Sequence, residues 1–370
     1  MRVSELQELA ERIYLGSNPQ LKQEMEKQVL AVIGQFENLP VVLEAMRGVP
    51  YSMLLVGSGL LQLIRKGEYM KPLSKLLEEA PTCGQEKLEM LNKDIREAKH
   101  RSYWTIIQHC LAMLADRPLE SYLRNTLVQL SAASLRQLLH YPEDIVYFQN
   151  FLKLAFSDME VLLELSNDYG GRPVMMSGRN LRHPPNLYVS LNILASLMDD
   201  LLEYANYKNY YEMKRTINLF RMRYLPLVLQ VAIYHFKLLF MLIQGDSKMF
   251  QALAPEFVLC LKLMEYVLNY PFTLIMTEFD NELEVKDQGN GEICFPDYFR
   301  CMTGDVELLK ALAVLHNAIV TTALPTNEHS AELVKLIAAD LGRLSGASTY
   351  LFNDAAERKA FRFLCIDILC

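Results

Sequence analysis

The chain is short of alternation. No stretch keeps apolar and polar residues in a period of two for long enough to propose a sheet, and the one strand-like run, TLIMTEF at 273–279, is brief. It is also short of positive charge: 37 Lys+Arg stand against 44 Asp+Glu, a formal net charge of -7. That balance lacks the basic footprint phosphate binding needs, which disfavours nucleic acid as the main ligand. Seven cysteines fall at 83, 110, 260, 294, 301, 365 and 370, an odd number with no C-x-x-C pair. They read as idle thiols of a reducing compartment, not as a disulfide framework or a zinc site. No G-x-x-x-x-G-K, G-x-G-x-x-G, G-x-S-x-G or H-E-x-x-H occurs. No enzyme activity, cofactor or metal is therefore expected. No signal peptide is expected at this start, because the first turn already carries Arg2, Glu5 and Glu8. The most apolar stretch, Leu225 to Ile243, is interrupted by Pro226, Gln230, His235 and Lys237. Charges near a bilayer centre are costly, so it reads as a buried helix and not a membrane span.

What is present is apolar helix. The apolar fraction of 51% supports large burial, and 370 residues suit two domains or a repeat array. The organising stretch is 38–66, NLPVVLEAMRGVPYSMLLVGSGLLQLIRK. Asn38 can cap a first helix whose apolar side is Val42, Leu43 and Met46. Gly48 and Pro50 close it and open a second, with Met53, Val56, Leu60 and Ile64 at helical spacing. Two short helices cannot bury their stripes alone, so such a hairpin needs others beside it.

The rest of the chain supplies them. Ser4 with Gln7 forms a capping box before Leu6, Leu9, Ala10 and Ile13. GSNP at 16–19 ends that helix and starts another, with Met25, Val29, Val32 or Ile33, and Phe36 inward. A helical signal resumes near Glu86, through Ile95, Tyr103, Ile106, Ile107, Cys110 and Leu114. Its partner runs from Leu119 to Leu139. A fourth pair starts at Asp144, is broken by a Gly- and Pro-rich loop at 166–186, and returns over Leu187 to Tyr204. Two apolar helices follow at about 217–243 and 247–269. An acidic connection, 271–296, carries Glu278, Asp280, Glu282, Glu284, Asp287 and Glu292. Helices near 305–322 and 327–344 precede a last one from Asn353 or Asp354. Its apolar face (Phe361, Leu364, Cys365, Ile368) is expected to be covered by further chain or another module. The predicted architecture is all-α, a single array over 1–370 of helix pairs about 35–50 residues apart, as in HEAT-type repeats.

Several local clusters have plain readings. The glycines of GSGLLQ at 57–62 lie inside a helix and let neighbours approach. His109 and Cys110 are adjacent and cannot share a helix face. Asp199, Asp200 and Glu203 read as a solvated helix face, Trp104 as core, and Cys294 and Cys301 as free thiols. Tyr204, Tyr207, Tyr210 and Tyr211, near Lys208, Lys214 and Arg215, read as packing at a helix end. The acidic connection reads as a solvated loop, or as an arm that touches a basic partner.

The order of several stretches resembles one family. The pair at 38–66, with YSMLLVGSGLLQLI, is similar to the second HEAT repeat of the importin-β superfamily, in its exportin-seven and exportin-four branch. LADRPLESYLRNTLVQL at 114–130, LNILASLMDDL at 191–201, KRTINLFRMR, VLNYPF at 267–272 and YLFNDAAERKAFRFL at 350–364 continue the resemblance in order. It implies an α-solenoid, a nuclear transport receptor that binds the small GTPase Ran in its GTP form and carries protein cargo. It also implies contact with the Phe-Gly repeats of the nuclear pore, shuttling between cytoplasm and nucleus, and a monomer without membrane insertion. Repeats in 1–140 would form the Ran-binding region and 141–370 further repeats. By position, the implied Ran contacts are Glu26 and Lys27; Ser58, Gln62 and Arg65; and Arg124 and Gln129. The acidic loop residues Glu278, Asp280, Glu282, Glu284 and Asp287 would add to them. The chain departs from the family pattern in the charged insertion at 67–100, the loop at 166–186 and its shorter length. A helical-repeat scaffold that binds another protein without regard to Ran is the other reading.

Overall fold

The structure is a computed structural model that describes residues 2–69, 85–116, 118–140, 144–156, 182–203, 209–269, 305–352 and 354–369. Among these it holds no strand, only helices and their connections. In chain order they are α1 (Val3–Leu15), α2 (Pro19–Ile33), α3 (Leu39–Met46), α4 (Pro50–Arg65), α5 (Gln85–Asp116), α6 (Ser121–Gln137) and α7 (Ile145–Ala155). Then come α8 (Leu187–Leu202), α9 (Tyr210–Arg223), α10 (Leu225–Gly245), α11 (Phe250–Asn269), α12 (Val306–Val320), α13 (Ser330–Leu351) and α14 (Ala355–Leu369). The chain forms two compact units, Met1–His140 with Asp199–Lys208, and Tyr141–Met198 with Asn209–Cys370.

In the first unit the punctuation residues act locally. The Asn18 side chain accepts from the backbone N–H groups of Gln20 and Leu21, and Pro19 opens α2. Pro50 opens α4 in the same way. From there Met53, Val56, Leu60 and Ile64 are wholly buried. Each such side chain contributes about 1.5–3 kcal/mol over leaving it in water. Helix α1 packs on α2 and α3, α3 on α4, and α5 on α6. Alternate helices also meet: α2 lies on α4, α4 on α6, and α3 on α5. The glycines of α4 permit this. A Cβ at Gly59 would stand 3.1 Å from Ile33 Cδ1 of α2, and one at Gly57 3.3 Å from Thr126 Cγ2 of α6.

The second unit is built around α10. Helix α10 packs on α9, α11 and α12, while α13 packs on α11 and α12, and α14 on α12 and α13. Helix α10 is long and apolar enough to cross a membrane, yet 83% of its apolar window is buried inside the protein. Its three polar interruptions are buried too, and each is handled differently. Lys237 pairs with Asp305 Oδ2 at 2.5 Å, and Oδ1 of the same carboxylate caps α12 through the Leu308 N–H. His235 donates from Nδ1 to the carbonyl of Val231, one turn back, at 2.8 Å. Gln230 is fully enclosed.

Four local expectations are corrected. Helix α1 is capped by Glu5, which accepts from the Arg2 N–H at 2.8 Å, and not by a Ser4–Gln7 box. The Gln7 amide lies instead where a Cβ at Gly48 would sit. Asn38 does not cap α3; it ends a 3-10 turn, Phe36–Asn38, and its amide donates back to the Val32 carbonyl. The run 217–243 is two helices, because Pro226 has no N–H and its ring clashes with the preceding turn, so α10 restarts after Tyr224. On α14, Phe361 and Cys365 are buried while Leu364 is 44% exposed, so only part of the predicted apolar face is open. The strand-like run at 273–279 and residues 166–181 of the loop at 166–186 lie outside the described residues.

Candidate functional site

Helix α4 sets the site because it is the middle member of the row α2, α4, α6. Its buried positions, Ser52, Met53, Val56, Gly57, Gly59, Leu60, Leu61 and Ile64, face the neighbouring helices. Ser58 and Gln62, one turn apart, are left in solvent. The Ser58 hydroxyl donates to the Leu54 carbonyl at 2.6 Å, so the helix itself satisfies it. Glu26 and Lys27 are exposed on α2, and Gln129 is exposed on α6. Arg124, also on α6, is half-buried. The seven nominated residues of the first unit thus fall on three consecutive members of one helical row. The acidic residues 278–287 lie outside the described residues.

Arg65 is already engaged. Its Nε donates to Asp200 Oδ1 at 2.9 Å, and Arg136 Nε donates to Oδ2 of the same carboxylate at 2.8 Å. The Arg136 and Asp200 side chains are 1% and 0% exposed. This corrects the reading of Asp199, Asp200 and Glu203 as a solvated face: Asp199 and Glu203 are exposed, but Asp200 is enclosed. An ion pair at such depth persists only when both charges are matched and hydrogen-bonded. The sequence carried a signal for it. Asp200 sits beside Leu197 and Leu201, and Arg136 four residues after Ala132, each on a stripe that is otherwise apolar.

Elsewhere in this unit a cleft of about 300 Å³ is lined by Arg47, Ala112, Met113 and Asp116. That is the low end for a small-molecule site. His109 stands one turn before Met113; burial, and next the Arg47 charge, push its pKa down. The neighbouring Cys110 is wholly buried and its thiol is pushed up to about 12 by desolvation, so the two residues act apart. In the second unit His183 Nε2 lies 2.7 Å from Glu256 Oε2. Burial raises the Glu256 carboxyl's pKa against the pull of that histidine. Tyr210 is 59% exposed, with Lys214 Nζ 4.2 Å above its ring, while Tyr204, Tyr207 and Lys208 lie outside the described residues. Among the described residues no group of three or more His, Cys, Asp or Glu side chains is placed to hold a metal ion.

The fold class these observations define is all-helical, with polar side chains displayed along one row of helices. No protein-family model matches the chain, and no curated protein matches it.

Proposed function

We propose that the chain is an exportin-like nuclear transport receptor of the importin-β superfamily. It binds GTP-bound Ran through its N-terminal HEAT-type helix pairs, carries protein cargo and contacts Phe-Gly repeats while passing between nucleus and cytoplasm. The observation that carries this reading is the packing order. In each unit consecutive helices pair, and alternate helices lie on one another: α2 on α4 on α6, α10 on α12, α11 on α13. That order is what stacked helix hairpins produce, and stacking leaves a long surface free for a protein partner. The ordered series of family-like stretches gives that surface its assignment. Glu26, Lys27, Ser58, Gln62, Arg124 and Gln129 supply polar contacts along the row, and Arg65 contributes from its position beside Asp200.

Discrimination of nucleotide state works through Ran, whose switch segments are ordered by the γ-phosphate. A specific complex needs an interface of roughly 1,000 Å² or more, about what three neighbouring helices can offer. The test is retention of the chain on immobilised Ran locked with GTP or with GDP. Retention on the GTP form alone is expected. Equal retention on both forms, or none on either, overturns the proposal, and equal retention would favour the nucleotide-blind scaffold. Gln62→Glu with Gln129→Glu is the informative variant pair, since both side chains are exposed and their loss leaves the fold intact. Arg65→Ala is less informative because it also disturbs Asp200.

A further inference from the structure

The first unit displays tyrosines where a helical protein would ordinarily bury them. Tyr14 lies in the last turn of α1, Tyr51 in the first turn of α4 and Tyr122 in the first turn of α6. The rings of Tyr14 and Tyr51 stack with centroids 5.6 Å apart and planes 20° from parallel. Tyr122 lies close enough to Tyr14 for their phenol groups to interact. Tyr14 is 63% and Tyr122 44% exposed, and Val49 and Pro50 extend the patch. Glu11 lies beside Tyr51 and Glu120 beside Tyr122, each carboxylate near enough to raise the pKa of the phenol next to it.

The chemistry of the patch selects its ligand. Rings already stacked on one another lose little rotamer freedom on binding, so the outer faces of Tyr14 and Tyr51 are pre-organised. Aromatic faces attract cations, and Glu11 and Glu120 add two formal negative charges at the rim. The nearby Arg12 does not cancel them, because Glu8 already pairs with it at 2.6 Å. The same carboxylates repel phosphate, which rules against stacked nucleotide bases. Flat rings beside carboxylates suit a ligand with rigid apolar rings and guanidinium groups. A polyproline II segment has both when arginines punctuate it, and it arrives with little conformational entropy left to lose.

The geometry points to a docking surface at Tyr14, Tyr51 and Tyr122, flanked by Glu11 and Glu120, for an extended proline-rich segment bearing arginine in a partner protein. This surface goes beyond the Ran-binding proposal and uses none of its residues, so either can fail alone. The test is calorimetric titration of the full chain with a peptide of repeated Pro-Pro-Arg triplets. Peptides of Pro-Pro-Glu and Ala-Ala-Arg triplets are the comparators. Saturable binding of Pro-Pro-Arg is expected, weaker by roughly tenfold or more for either comparator. Tyr14→Ser, at an exposed ring whose loss spares the core, is expected to weaken it by a similar factor with the helical circular dichroism unchanged. Glu11→Gln with Glu120→Gln is expected to weaken it several-fold and to reduce its salt dependence. Absence of saturable binding, equal binding of all three peptides, or binding indifferent to Tyr14→Ser overturns the proposal.

Discussion

Arg136 and Asp200, 64 residues apart in the chain, meet at 2.8 Å in a place neither shares with water. Asp200 uses its second oxygen on Arg65, so one carboxylate ties α4 and α6 to the last turn of α8. Removing one partner of such a pair leaves the other charged, buried and unmatched. Asp200→Ala is therefore expected to destabilise the first unit by about 3–5 kcal/mol, read by urea denaturation. Asp200→Leu combined with Arg136→Met, which removes both charges, is expected to recover most of that loss. A double variant as unstable as Asp200→Ala would mean the pair is not what holds these helices.

Asp340 presents the opposite case. It is fully buried on α13 and neither oxygen has a hydrogen-bond partner among the described residues. Burial, and then Glu265, raise its pKa well above the ordinary carboxylate value, against the pull of Arg343. Arg343 itself is engaged with Glu265 at 2.9 Å. Because the folded state holds the proton longer than the unfolded state, stability falls as pH rises above about 4 toward the raised value. Asp340→Leu is expected to gain about 1–3 kcal/mol at pH 7 and to flatten that slope. Thermal melts across pH 4 to 8 check both expectations.

His235 gives a slope of the other sign. Enclosed against the Phe156 and Tyr234 rings, it is held neutral, its pKa lowered to about 4 by desolvation against the Val231 hydrogen bond. The unfolded chain takes up a proton near pH 6.5 and the folded one does not until about pH 4. Stability contributed by the neutral ring is full above pH 6.5 and is lost as pH falls toward 4, by about 3 kcal/mol. His235→Phe is expected to remove that share of acid sensitivity, measured as the difference in denaturation free energy between pH 7 and pH 4.5. An unchanged difference would place the acid sensitivity elsewhere.

Two glycines separate packing from propensity. A Cβ at Gly59 would come within 3.1 Å of Ile33 Cδ1 and 3.2 Å of Leu30 Cδ2, so Gly59→Leu must push α2 off α4. The expected loss is about 1–3 kcal/mol. A Cβ at Gly342, inside α13, would meet nothing within 4 Å. Gly342→Ala is expected to gain about 0.5–1 kcal/mol from helix propensity alone. Melting temperatures that move in opposite directions for the two variants are the check.

Local order was readable from the chain because its causes are local. Asn18–Pro19 and Pro50 start helices through their own backbone chemistry, and the 3.6-residue period of Met53, Val56, Leu60 and Ile64 marks the side that is buried. The same rule misplaced the cap of α1, where Ser4 competed with a carboxylate one residue further on. It also merged α9 with α10, because the apolar pattern crosses Pro226 without a pause.

Helix and the identity of many core positions needed only the order of residues, since each is marked by neighbours within one or two turns. Which of the charges on apolar stripes would be matched needed the folded chain. Asp200, Lys237 and Asp340 stand among apolar neighbours, but their partners, or the lack of them, are decided only when helices distant in sequence close over them. Burial is a property of that closure, and partners such as Arg136 and Asp305 are found only once the helices have packed. The tyrosine patch is of the same kind: Tyr14, Tyr51 and Tyr122 are isolated in the sequence and become one surface where the ends of three helices come together.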